Sequence, residues 1–267
     1  MPSFIPNPTG YGSGFARTTA QVDQGLRAFM LGVYNNMVMG LAVSALVALG
    51  FNKLSTTSDA AAAAHTSTGQ VVRLGGQYLT QFGVTVYTTP LMWVVALAPL
   101  AFIFLFTFRM DRMSASSART TFLAFAAVMG ASLSTLLLRY TGASVVQTFF
   151  VTAAAFGSLS LYGYTTQRSL SGFGSFLMMG VIGLVIASLV NIFLASSALQ
   201  FAISALGVLI FAGLTAYDTQ KLKEMYLYGN YDGEAAAKVS VYGALTLYLD
   251  FINMFQFLLA FMGNRNQ

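Results

Sequence analysis

Apolar runs long enough to cross about 30 Å of hydrocarbon recur along this chain, separated by polar stretches. They fall at 30–51, 90–108, 120–138, 144–162, 176–194, 199–218 and 241–261. None alternates polar with apolar residues, as a strand of a membrane barrel must. Each run therefore predicts a helix, and together they predict an all-α membrane protein with seven transmembrane helices. Residues 1–28 are polar and rich in Gly, Pro and Thr, and read as an N-terminal arm. Its apolar continuation comes too late for a cleavable signal peptide. Residues 29–267 then form a single seven-helix membrane domain. The connections are short except for 52–89, a long external loop with an alanine run at 60–64 and many Thr, Ser and Gly. No internal repeat is visible.

Composition supports a lipid environment. Only 8% of the 267 residues are charged and 56% are hydrophobic, and the mean hydropathy is +0.69. A soluble domain carries about 25% charged residues to cover its surface. The 25 glycines fit helices that approach closely within a bilayer. The net charge of +5 comes from residues scattered between apolar runs, without the continuous basic patch that nucleic acid requires. These residues instead set topology. With the N-terminus in the cytoplasm, nine Lys and Arg fall inside and four outside, so the C-terminus is expected outside. The absence of cysteine excludes disulfides and thiolate chemistry, and the single histidine, His65, reads as a solvated loop residue.

The informative chemistry lies in acids at membrane depth, where an ionised carboxylate costs several kcal/mol. Of the eight acids, six fit aqueous loops or the interface. Asp250 does not, because it sits near the middle of the last apolar run. Asp218 sits near the end of the preceding run, with Lys221 three residues on as its bland interfacial partner. Gly243, Thr246, Asp250, Asn253 and Phe257 recur at steps of three and four and so share one helix face. That face suits the bundle interior better than lipid. Should the sixth helix continue through Tyr226, the chain runs down and back, bringing Asp218 and Asp250 to similar depth. Asn191 and the Gly130/Ser134 pair read as helix packing, and Glu224, Asp232 and Glu234 as a solvated turn.

The stretch Ala-Tyr-Asp-Thr-Gln-Lys-Leu-Lys-Glu-Met-Tyr at 216–226 closely resembles a signature of the Bax-inhibitor family of membrane proteins. So do Leu-Tyr-Leu-Asp-Phe-Ile-Asn-Met-Phe at 247–255 and the ending Phe-Met-Gly-Asn-Arg at 261–265. Weaker similarities are Tyr34 to Met37 and Gly130 to Ser134, and the resemblance covers about residues 30 to 265. It implies a last helix surrounded by the other six. It also implies a paired-aspartate sensor, here Asp218 and Asp250, that responds to pH and gates a calcium leak. Thr246 and Asn253 would support the pair, and either Arg109 or Arg112 would latch onto it. Ser169 stands where relatives usually carry Asp, a departure that bears on charge pairing in the 166–171 loop.

The physics is compatible with that expectation. Two carboxylates in contact at low dielectric share a proton and titrate as a pair, and calcium prefers oxygen ligands. Asp218 and Asp250 are therefore also the candidate calcium ligands. The resemblance implies a bacterial inner-membrane ion leak with no enzyme activity and no cofactor, calcium entering only as the transported ion. The alternative it leaves open is an interaction protein that modulates a membrane-bound ATP-dependent protease or a cell-death response. An intramembrane aspartyl protease is a weaker rival. Tyr217-Asp218 resembles its first motif, but Leu247-Tyr248-Leu249 replaces the glycines needed before the second aspartate.

Overall fold

The computed structural model describes residues 19–66, 69–109, 112–229, 231 and 233–266. Eight α-helices account for most of them. Helix α1 spans Thr19–Ser55, α2 Gln81–Thr88, α3 Leu91–Arg109, α4 Ala115–Arg139 and α5 Gly142–Thr165. Helix α6 spans Ser171–Leu194, α7 Ser197–Tyr228 and α8 Gly233–Met262. Each apolar run of the sequence falls on one of these helices, save for Pro90 at the head of the second run, and most of the helices continue into the polar flanks of their runs. The first turns of α1 come from the stretch read as a polar arm. Among the described residues six helices are long and apolar enough to cross a membrane, and the count is seven where the bent pair α2–α3 is taken as one broken span. The protein is an all-α membrane protein.

Local chemistry sets the ends. Ser114, Thr141 and Ser196 sit extended before α4, α5 and α7, and each hydroxyl accepts an amide of the first turn, satisfying a donor with no helical partner. The 65° bend between α2 and α3 falls at Thr89-Pro90. Proline cannot donate a backbone hydrogen bond and drives its predecessor out of helical geometry, and Thr89 is extended. The loop between α1 and α2 is ordered by a small antiparallel sheet. Strands β1 (Thr56–Thr57), β2 (Arg73–Leu74) and β3 (Gln77–Leu79) lie in the order β1-β3-β2. His65 is exposed in this loop, as expected.

Helix α8 is the centre of the bundle. Half of its most apolar window is buried, against 17–33% for the other single-helix spans. Helices α1, α4, α5 and α7 pack directly on it, while α3 stands behind α4 and α6 behind α7. The outermost faces meet lipid, as at Phe193 of α6, which is 88% exposed. Glycine permits two of the closest approaches. A side chain at Gly130 would strike the Ser44 carbonyl of α1, and one at Gly163 would strike the Ala216 carbonyl of α7. Gly130 is thus the close-packing residue that its motif suggested. Ser134, one turn on, bonds Tyr87 of α2 at 2.8 Å. Asn191 joins α6 to α7, donating to Gln200 at 3.2 Å and accepting from the Ser196 amide at 3.0 Å.

Two further devices hold α8. Tyr248, fully buried, places its hydroxyl 2.6 Å from Ser44 of α1, whose own hydroxyl donates to the Ala126 carbonyl of α4 at 2.7 Å. Phe122 and Phe125 meet the Tyr248 ring edge-on at 5.6 and 5.9 Å. At the other end of α8, the chain beyond Met262 is stitched to the α4–α5 turn. The Asn266 amide donates to the Arg139 carbonyl at 2.9 Å, and its side chain to the Leu138 and Tyr140 carbonyls at 3.0 and 3.1 Å. The Thr141 amide donates to the Asn264 carbonyl at 3.0 Å, and the Asn264 amide to Ser144 at 3.0 Å.

Candidate functional site

Helices α7 and α8 run antiparallel, and three levels of contact fix their register. Near the connecting turn, Gly243 lies against Leu222 of α7 and Val33 of α1. Near the opposite end, Phe257 covers Gly207 and stacks on Phe211 at 5.7 Å. Between these levels, the side chains of Asp218 and Asp250 lie close enough to interact. The sequence expected these acids at a common depth if α7 continued past Tyr226, and α7 does continue, to Tyr228. The small and polar face of α8 turns toward α7, with Gly243, Asp250 and Phe257 all meeting it.

A hydrogen bond between two carboxyl groups requires that one of them carry the proton. Asp250 is 4% exposed, and its Oδ2 has no hydrogen-bond partner. Asp218 is half-buried, with Lys221 the cation whose field reaches it. Buried polar atoms are normally satisfied, so an orphaned carboxyl oxygen marks a position able to accept a proton, a water or a cation. No group of three or more acids and histidines is close enough to hold a metal among the described residues. The pair supplies at most four carboxyl oxygens, fewer than the six to eight that calcium takes.

The expected supporting residues are placed differently from the pair. Thr246 donates to the Tyr242 carbonyl at 3.2 Å, and Asn253 to the Leu249 carbonyl at 2.9 Å. Both satisfy their own helix. Arg109 ends α3, and its side chain lies outside the described residues. Arg112 is exposed, in a surface cavity of about 440 Å³ walled by Phe108, Met113, Ser114 and Ser117, to which neither aspartate contributes. The two positions before Asp250 where an aspartyl protease needs glycine hold Leu247, fully buried in the helix, and Leu249, half-buried.

Other contacts around the site escaped the sequence reading. Tyr34 of α1 bonds Ser160 of α5 at 2.6 Å, and Ser160 bonds Thr219 of α7 at 2.9 Å. This hydroxyl chain ties three helices together beside Asp218. Gln220 clamps the α5–α6 loop, accepting from the Leu170 amide at 2.7 Å and donating to the Arg168 carbonyl at 2.9 Å. The loop that carries Ser169 in place of an acid is therefore held by amide bonds. These polar residues share helix faces with ordinary packing residues, so nothing in their spacing set them apart.

The sequence matches the family described as inhibitor of apoptosis-promoting Bax1 over residues 26–267. It is 47% identical to a protein of Caulobacter vibrioides over 251 residues, 94% of each chain. It is 41% identical to inner membrane protein YbhL of Escherichia coli over 242 residues, 90% of this chain and 93% of YbhL. A membrane protein of Streptococcus pyogenes is 32% identical over 246 residues, 92% of this chain and 96% of its own. With a match that takes in every spanning helix and both aspartates, the chain belongs to the Bax-inhibitor family of membrane proteins.

Proposed function

We propose that this protein is a pH-sensitive cation leak channel of the bacterial inner membrane, with Asp218 and Asp250 as its proton sensor and calcium as the ion. The observation that carries the reading is the close aspartate pair between the central helix and its neighbour, with one oxygen of Asp250 buried and unpartnered. The inner-membrane placement follows from the spanning helices and the similarity to YbhL. The excess of Lys and Arg on one side orients the N-terminus inward.

One shared proton holds α7 and α8 together at this level. Its loss leaves two like charges in contact, whose repulsion is of order 4 kcal/mol at an effective dielectric constant near 20. A difference of that size shifts a two-state equilibrium about a thousandfold. It is relieved by separating the helices or by a cation taking the place of the proton. An incomplete oxygen set binds calcium weakly and releases it quickly, which conduction requires. Proton and cation thus compete for one position. Arg112, exposed in its own surface cavity, serves as a latch only through a rearrangement that brings it to the pair.

The test is calcium flux into liposomes holding the purified protein, measured against pH. Asn keeps the shape of Asp but cannot ionise. Asp218→Asn and Asp250→Asn should each flatten the pH response, and the double variant should add little, because groups acting as one unit are not additive. Independent, additive shifts with a residual wild-type response would sink the paired sensor. Absence of wild-type flux at every pH would sink the channel.

A further inference from the structure

Helices α1 and α5 both pack on α8 but do not pack closely on each other. The gap between them is a cavity of about 810 Å³ that opens sideways, floored by Phe251 of α8. Met30, Tyr34 and Leu41 wall it from α1, and Phe149, Gly157 and Tyr164 from α5. A second cavity of about 350 Å³ shares Leu41, Ala45, Phe149 and Phe251 with the first and continues it along the bundle. Small residues make the room. A side chain built at Gly157 meets nothing within 4 Å, and Ala42, Ala45 and Ala153 add no bulk. A volume near 800 Å³ is that of a small-molecule site, and the space beside it in a membrane holds acyl chains.

The trough is not uniform along its length. Arg27 stands at its mouth, exposed and without an ion pair among the described residues. Lys223 lies beside the same end, donating to the carbonyl of Tyr164 at 2.9 Å. The Phe29–Tyr226 ring stack at 4.9 Å sets this mouth level with the end of α7, where the chain leaves the hydrocarbon. Asp23 lies one turn nearer water and is not part of the wall. Next come the hydroxyls of Tyr34 and Ser160, bonded to each other, and beyond them only apolar residues. A cation at the interface, hydroxyls below it and apolar walls beneath match an amphiphile with a negative headgroup. From Arg27 to Leu41 the helix rises about 21 Å, somewhat more than the roughly 15 Å depth of one leaflet's hydrocarbon.

We infer that the α1–α5 trough is a binding site for one anionic phospholipid, its phosphate at Arg27 and an acyl chain along Tyr34, Leu41 and Phe149. The chain rests on Phe251, the residue after Asp250, so lipid occupancy touches the central helix beside the aspartate pair. The site stands whether or not the pair gates a leak.

The experiment places the full-length protein in phosphatidylcholine nanodiscs with a small fraction of phosphatidylglycerol bearing a photoactivatable acyl chain, and maps the adducts by mass spectrometry. Adducts should concentrate on the trough walls of α1 and α5. Unlabelled phosphatidylglycerol should compete, and phosphatidylcholine should not. Arg27→Gln should weaken that competition about fivefold, from the contribution of one interfacial cation, and Arg27→Lys should retain it. Gly157→Leu, which fills the trough from an open position, should abolish trough labelling while its thermal unfolding shows it folded. Adducts spread round the lipid-facing belt, labelling indifferent to headgroup, or a second protein chain found cross-linked in the trough would each overturn the inference.

Discussion

The Ser44–Tyr248 contact makes a prediction whose sign and order follow from which partner is removed. Tyr248→Phe deletes one hydroxyl and leaves the Ser44 hydroxyl still donating to Ala126 at 2.7 Å. The ring keeps its edge-on contacts with Phe122 and Phe125. Its cost is that of one side-chain bond between membrane helices, about 0.6 kcal/mol and at most about 1.7. Ser44→Ala is worse. It strands the Tyr248 hydroxyl in a site with no exposure, and an unsatisfied buried donor costs about 1–3 kcal/mol. In the double variant nothing is stranded, so its cost should fall below the sum of the singles by about 1 kcal/mol. The measurement is reversible unfolding in mixed micelles titrated with dodecyl sulfate. Tyr248→Phe proving costlier than Ser44→Ala, or a strictly additive double variant, would refute the assignment of Ser44 as the shared acceptor and donor.

Two glycines on α5 should respond in opposite directions. Gly163→Ala drives a methyl group into the Ala216 carbonyl and should cost about 1–3 kcal/mol, whereas Gly157→Ala meets open space and should gain up to about 1 kcal/mol from helix propensity; the same unfolding titration reads both. A reporter inserted near Gly229 should register as cytoplasmic and one fused after Gln267 as external, and the same side for both would overturn the orientation. Transition-state analogues of aspartyl proteases should not label the protein, and labelling lost in Asp250→Asn would make it an enzyme.

The parts of the fold legible in the sequence are those that the bilayer dictates. A run such as 176–194 must be a helix because lipid satisfies no backbone group, and α6 covers it. Asp250 stood out because a carboxyl at that depth requires a partner. The helix ends were less legible. Charged residues after Asp218 end the apolar run but not the helix, which carries Lys221 and Lys223 onward out of the hydrocarbon. The strands between α1 and α2 are two or three residues long, too short for any alternation to register. Ser44 lies among apolar neighbours as a single hydroxyl and Ser160 is one of several on its helix, and only the arrangement of α1, α4, α5 and α7 around α8 shows what each one meets.

The stitched C-terminus has a mechanical consequence. Residues 264–266 tether α8 at one end, whereas its other end joins α7 through a brief turn, so the helix is a lever with a fixed fulcrum. Asp250 lies about 18 Å from Met262 along that lever and Gly233 about 44 Å. Parting the helices by about 1 Å at Asp250 therefore swings Gly233 by about 2.4 Å, taking the rise per residue as constant. A rigid α8 turning about its tethered end would magnify motion toward the side on which α7 and α8 connect, and the first turn of α8 is the place to attach a probe of it.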